Sequence, residues 1–222
     1  MTTIALVGAG RGLGAAIARR FGREGFDLAL ISRNLERIES LAAELRGEGF
    51  TARGYAASVR DPHALVTALD QASQELGPIE VLEYSPLPQK EFLRPILETT
   101  PGDLAGAVEF SVYGPVAAVH QVVQGMRFLG RGTILFVNGG SGARPNANVA
   151  GTSIAFAGES AFARMLHDTL AGENIHVGQL IIPGAITEGH PTHDPGILAD
   201  HLWEHHIERG EFRTFADHMD LD

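Results

Sequence analysis

Thr3-Ile4-Ala5-Leu6-Val7-Gly8-Ala9-Gly10-Arg11-Gly12-Leu13-Gly14 is the stretch that decides how the rest of the chain is read. It combines an apolar strand, a glycine-rich turn and, from Ala15 to about Arg23, a run with helical spacing. Amide groups at such a helix start are unpaired and sit at the positive end of the helix dipole, so they favour a phosphate. Glycines without side chains let a pyrophosphate come close. A strand before the pattern and a helix after it predict a dinucleotide site built from Gly8, Gly10, Arg11, Gly12, Leu13 and Gly14. A plain tight turn between strand and helix is the alternative.

The chain has 222 residues, 44% hydrophobic and 20% charged, enough for one sizeable core. A single domain over 1–222 is expected. The formal net charge of −10 argues against nucleic acid and anionic membranes as partners. There is no cysteine, hence no disulfide, thiolate nucleophile or Cys-held metal. The N-terminus enters a strand with no basic-then-apolar leader, and no apolar run approaches the ~18 residues of a membrane span. The expected compartment is the cytoplasm.

Further along, strands are expected at Phe26–Ile31, Thr51–Ala56, Ile79–Glu83, Thr133–Val137, Ile175–Ile182 and Glu211–Phe215. Helices fall between them: one capped by Asn34 and running to Arg46, and one opened by Asp61-Pro62 and running to Leu76. A long one follows from Thr100-Pro101 to about Leu129, then Gly151 to about Ala171 and Ile197 to Arg209. Strands alternating with helices through short loops predict an α/β fold: a single-domain Rossmann architecture, its doubly wound parallel sheet having about seven strands and helices on both faces. Ligands on such sheets sit at the carboxyl ends of the strands, where strand order reverses.

An acidic residue about 20 positions after the glycines ordinarily accepts the ribose hydroxyls of NAD. Ser32-Arg33-Asn34 stands at that place, with no carboxylate. Arg33, Arg11 and the Ser32 hydroxyl suit a 2′-phosphate, so NADP(H) is the expected cofactor. Arg33 as a solvated strand-end charge is the plainer reading.

These residues resemble the short-chain dehydrogenase/reductase family. Val7 to Gly14 looks like its Thr-Gly-x-x-x-Gly-x-Gly fingerprint, with Val7 in the Thr place. Ala57-Ser58-Val59 looks like its adenine-contacting Asp-Val element, with Ser58 in the Asp place. Pro183-Gly184-Ala185-Ile186-Thr187 resembles its Pro-Gly…Thr segment, whose Thr contacts the nicotinamide carboxamide. Tyr84-Ser85-Pro86-Leu87 aligns with its Asn-Asn-Ala-Gly element, which adds Ser85 and Pro86 to the cofactor residues. The resemblance also implies a substrate-covering segment at about 188–210 and a homodimer or homotetramer through the two long helices.

The catalytic positions depart from the family. Its Tyr-x-x-x-Lys pair falls on Thr152 and Phe156, its Ser on Gly139 and its Asn on Ser111. The only tyrosines are Tyr55, Tyr84 and Tyr113 and the only lysine is Lys90, so no shift restores the pair. The missing phenol is a general acid of the kind worth roughly 10²–10⁴-fold. Tyr84 could present its phenol to the pocket from the end of its strand, or pack on the sheet edge. Asn138, Ser141, Ser153 and Thr152 could orient a substrate by hydrogen bonds, Thr152 equally by capping its helix. His190 or His193, in the covering segment, could supply a proton near neutrality. His201 and His205 have a zinc-compatible i,i+4 spacing, but no third ligand is evident, and no metal is expected.

The pocket wall expected from Tyr84, Pro86, Leu87, Phe92, Asn138, Ser141, Thr152 and the cover suits a small, largely apolar organic substrate. Three functions fit: an NADP(H)-dependent reductase of an activated C=C or C=N bond, a non-redox enzyme such as a cyclase, isomerase or dehydratase, or a non-catalytic NADP(H)-binding sensor or partner subunit. Fold alone does not choose among them. The phosphate cradle beside a vacated acid site favours the first.

Overall fold

The computed structural model describes residues 2–220. Seven strands form one sheet: Thr3–Val7 (β1), Asp27–Ser32 (β2), Ala52–Ala56 (β3), Ile79–Tyr84 (β4), Gly132–Gly139 (β5), Ile175–Ile182 (β6) and Arg213–Phe215 (β7). Every pairing is parallel, in the order β3-β2-β1-β4-β5-β6-β7. Seven helices connect them: Leu13–Arg23 (α1), Leu35–Gly47 (α2), Pro62–Leu76 (α3), Pro101–Val108 (α4), Gly114–Leu129 (α5), Ala150–Leu170 (α6) and Pro195–Glu208 (α7). The central strands β1, β4 and β6 are buried at every position because helices cover both faces. Ile17 and Phe21 of α1, Leu41 of α2 and Leu198 of α7 pack on one face. Leu69 of α3, Val122 of α5 and Phe156 of α6 pack on the other.

Local chemistry sets the helix starts. Asn34 Oδ1 accepts from the Arg37 amide at 2.8 Å and Asp61 Oδ1 from the Ala64 amide at 3.0 Å, each satisfying an amide that the first turn leaves open. Thr100 and Asp103 form a reciprocal capping box, with Pro101 at the first helical position.

The helix expected from Thr100 to Leu129 is not continuous. A π-helical turn, Glu109–Tyr113, separates α4 from α5, and the Gly114 amide reaches back to the Glu109 carbonyl. The Phe110 carbonyl passed over by that bond accepts the Tyr84 phenol at 2.6 Å. Pro115 has no N–H for the Ser111 carbonyl, which favours a wider turn here. Gly114 is required: a Cβ would stand 2.4 Å from the Tyr84 hydroxyl and 2.7 Å from the Val59 carbonyl. Gly114-Pro115 was the visible warning in the sequence, overridden by the apolar periodicity on either side.

β4 carries an anomaly. Glu83 is fully buried, in register between Leu6 and Leu135 on the face packed by α1 and α7; its oxygens have no well-formed hydrogen bond among the described residues, the Ser85 side chain being the one polar group near them. Burial raises its pKa to about 8, so it is carried as the neutral acid. Burial likewise raises Glu159 on α6 to about 8. Both folded-state values lie above the unfolded one. The folded chain therefore keeps protons that the unfolded chain releases, and stability is full below the unfolded value and lost as pH rises through about 8. Between about pH 7 and 8, where unfolded histidines are already mostly neutral, each group is expected to remove about 1 kcal/mol of stability. Denaturant unfolding of Glu83→Met should give a slope of stability against pH roughly half that of the wild type. An unchanged slope would show that Glu83 does not titrate in this way.

Candidate functional site

Strand order reverses between β1 and β4, and the crevice above their carboxyl ends holds the glycine-rich loop. Gly8 has φ of 97° and its α-hydrogen side faces Pro86, where a Cβ would stand 2.4 Å from the Pro86 Cα. The Gly8 and Ala9 amides donate to the Ile31 carbonyl at 3.0 and 3.1 Å, tying the loop to β2. α1 starts after Gly12 with no side-chain cap; the Ala15 amide donates to the Gly10 carbonyl at 2.8 Å, and the Leu13 and Gly14 amides on the cleft wall have no acceptor among the described residues.

Two adjoining cavities flank this loop. One, of about 710 Å³, lies over the ends of β2 and β3 and is lined by Arg11, Ser32, Arg33, Ser58, Val59 and Pro86 as the sequence reading expects. It also contains Arg37, Ser40 and Arg60, which that reading missed. Glu36 is the one carboxylate on its wall. Arg11 is drawn aside to Glu44, with a second bond to Ser40 Oγ at 3.1 Å. Arg60 is held by Glu109 and by Gln89, each at 2.9 Å. Arg33 and Arg37 have no ion-pair partner among the described residues. Arg37 was readable in principle, since the first turn of a helix capped by Asn34 must overhang the end of β2. Asn34 caps α2 with its side chain, between Arg33 and Arg37, and is outside the cavity lining.

The second cavity, of about 1280 Å³, contains Gly8, Gly10, Gly12, Leu13, Gly14, Ser85, Pro86, Pro183, Gly184 and Ile186 from the expected cofactor set. Thr187 is exposed beside Ile186 and Glu188 of this wall and donates its amide to the His193 carbonyl at 3.0 Å. The segment after β6 covers less than expected. Glu188 and Pro195 reach the cleft, whereas most of α7 belongs to the core against α1.

Ser141 and Thr152 meet on the wall of this cavity, Oγ to Oγ1 at 3.3 Å. Thr152 donates to the Val149 carbonyl at 3.1 Å, and Phe156 fills the position one turn further along α6. The other two catalytic candidates are corrected. Tyr84 is 1% exposed, points into the core under the π turn, and burial holds its phenol well above the ordinary range, so it supplies no proton to the cleft. His190 stands outside the cavity lining, its Nδ1 accepting from the amides of Thr192 and His193 at 3.3 and 3.1 Å. His193, by contrast, is buried and holds the Pro183 carbonyl through Nε2 at 3.0 Å. Phe92, expected on the wall, is in the core. His205 bonds Thr214 Oγ1 at 2.6 Å, and the described residues contain no group of three His, Cys, Asp or Glu placed to hold a metal ion.

Behind the wall lies a polar chain. Arg213 Nε donates to Gln179 Oε1 at 2.8 Å, Gln179 Nε2 to Asn138 Oδ1 at 2.7 Å, and Asn138 Nδ2 to Glu159 Oε1 at 3.0 Å. Asn138 lines the cavity; Glu159, 1% exposed, lies behind it. Glu159 went unnoticed in the sequence because a lone Glu on an amphipathic helix looks like a solvated face. Its spacing from Thr152 and Phe156, seven and three residues, was the signal that it shares their buried stripe.

Among the described residues no helix is long and apolar enough to cross a membrane. The family profile described as short chain dehydrogenase matches residues 2–192. The 2,3-dihydro-2,3-dihydroxybenzoate dehydrogenase of Bacillus subtilis is 29% identical over 218 residues, covering 97% of this chain and 80% of that protein. A short-chain dehydrogenase structure from Rhodopseudomonas palustris superposes with a TM-score of 0.82 at 26% identity, covering 96% of this chain and 97% of the other. L-sorbose reductase from Gluconobacter frateurii, solved with NADPH and L-sorbose, has the same fold at a TM-score of 0.86 and 20% identity, covering 96% and 94%. The chain belongs to the short-chain dehydrogenase family.

Proposed function

We propose that the protein is an NADP(H)-dependent reductase of the cytoplasm that acts on a small, largely apolar substrate with an activated C=C or C=N bond. Arg33 and Arg37, unpaired in the cavity over β2 and β3, carry the cofactor reading. Two guanidiniums without protein counter-charges beside Ser32 and Ser40 suit a 2′-phosphate. The open amides from Gly10 to Gly14 suit the pyrophosphate, Ser58 and Val59 the adenine, and Pro183, Gly184 and Ile186 the nicotinamide end. Exposed apolar Tyr113, Phe128, Ile154 and Met165 on and beside α5 and α6 fit association with a second copy.

The chemistry follows from what the cleft lacks. NADPH bound along these residues would supply a hydride. An enone reduced at its β-carbon would gather negative charge on its carbonyl oxygen as an enolate, and water would protonate the α-carbon. Such a reaction needs hydrogen-bond donors at the oxygen but no strong protein acid at the site of hydride addition. Ser141 is a hydroxyl of that kind, able to turn its hydrogen from Thr152 to the substrate, while Thr152 gives its own to the Val149 carbonyl, and no phenol or ammonium accompanies them.

Calorimetry should show NADPH bound more tightly than NADH, and replacing both Arg33 and Arg37 by alanine should weaken NADPH by roughly ten-fold or more while leaving NADH nearly unchanged. An equal loss for both nucleotides would remove the 2′-phosphate role. Reduced-nicotinamide absorbance should fall with cyclohexenone or a cyclic iminium and stay constant with cyclohexanone. Equal turnover of the saturated ketone, or none with any conjugated acceptor, counts against this function.

A further inference from the structure

The chain from Arg213 to Glu159 has a fixed direction. An arginine can only donate, so Gln179 must present its oxygen to Arg213 Nε and its amide nitrogen to the other side. That nitrogen lies 2.7 Å from Asn138 and 2.8 Å from Ser160 Oγ. Asn138 must therefore turn its oxygen to Gln179 and its nitrogen to Glu159. An amide nitrogen carries two hydrogens, and Glu159 takes one. The second has no acceptor among the described residues, in a side chain 2% exposed that lines the cavity beside Ser141 and Thr152. A buried polar hydrogen without a partner is costly unless something else supplies the acceptor.

We propose that Asn138 is the hydrogen-bond donor to the substrate's activating oxygen, and that Glu159 is the positioning residue that aims it. This rests on the reductase reading above and names the substrate class: an acceptor whose reduction builds negative charge on oxygen, as an enone does. Donors fixed before the reaction stabilise such charge without reorganising. Glu159 Oε2 and the Ser111 Oγ near it both lack a well-formed partner, and the neutral acid can donate there. The groups facing Glu159 are Asn138 from β5, Ser111 from the π turn and the neutral Tyr84 from β4, with Arg213 of β7 two residues away along the chain. Ionised Glu159 would set a negative charge behind the developing enolate, so activity falls as pH rises through about 8.

The test uses the full chain with NADPH and cyclohexenone. Asn138→Ala should lower kcat by roughly 10²-fold with NADPH affinity by calorimetry unchanged. Glu159→Gln keeps an acceptor for Asn138 and a donor toward Ser111. It should keep the wild-type rate near neutrality within about two-fold and lose the alkaline fall. Equal rates for Asn138→Ala and wild type, or the same alkaline limb in Glu159→Gln, overturn the proposal. A second measurement follows the Asn138 side-chain amide by ¹⁵N–¹H NMR, identified by its loss in Asn138→Ala. It should titrate with Glu159, cease to do so in Glu159→Gln, and shift when cyclohexenone joins the NADP⁺-loaded protein. A resonance that neither titrates nor shifts overturns the proposal without touching NADP(H) binding. Failure of calorimetry to detect either nucleotide overturns the reductase reading and with it Asn138's role toward substrate, while the amide titration still decides whether Glu159 aims Asn138.

Discussion

The parallel pairing of β1 with β4 is the constraint on which the remaining architecture rests. Crossovers run outward in opposite senses from these two strands, so no connection covers their carboxyl ends. The loop after β1 and the loop after β4 meet there, and their contact, Gly8 against Pro86, tolerates no side chain. The phosphate cradle is thus a result of sheet topology. Its cations, its serines and its open helix start all come from segments that the topology brings to that crest.

The same pairing explains how an acid can be missing without loss of the fold. The proposed phosphate site depends on backbone direction and on arginines at the end of β2 and the start of α2. Proton chemistry depends on side chains of β5 and α6, on the other side of the crest. The two halves share a wall but few contacts, and one can depart from the family pattern while the other stays. Thr152 and Phe156 are as well packed as core residues, consistent with a wall rebuilt for shape and hydrogen bonding.

Much of this was legible in the chain. The strand–glycine–helix opening and the Asp61-Pro62 and Thr100-Pro101 helix starts act through local physics, and each fell where periodicity and capping indicated. What escaped depended on contacts distant in sequence. Tyr84 ends a strand near the cofactor crest, and nothing in its neighbourhood shows that its hydroxyl serves a carbonyl 26 residues away. His190 faces its own turn and not the cleft for a similar reason, since loop direction is not periodic. Arg37 and Glu159 were missed although helical spacing placed them, because charged residues on amphipathic helices usually face water.

The buried carboxyl on α6 also limits how this family member could revert. A lysine at 156 would lie three residues from Glu159 on the same stripe, and the two would exchange a proton and pair. A tyrosine at 152 would then stand over an ammonium already committed to a carboxylate. A phenol and an ammonium at these two positions therefore call for a third change, at Glu159 itself.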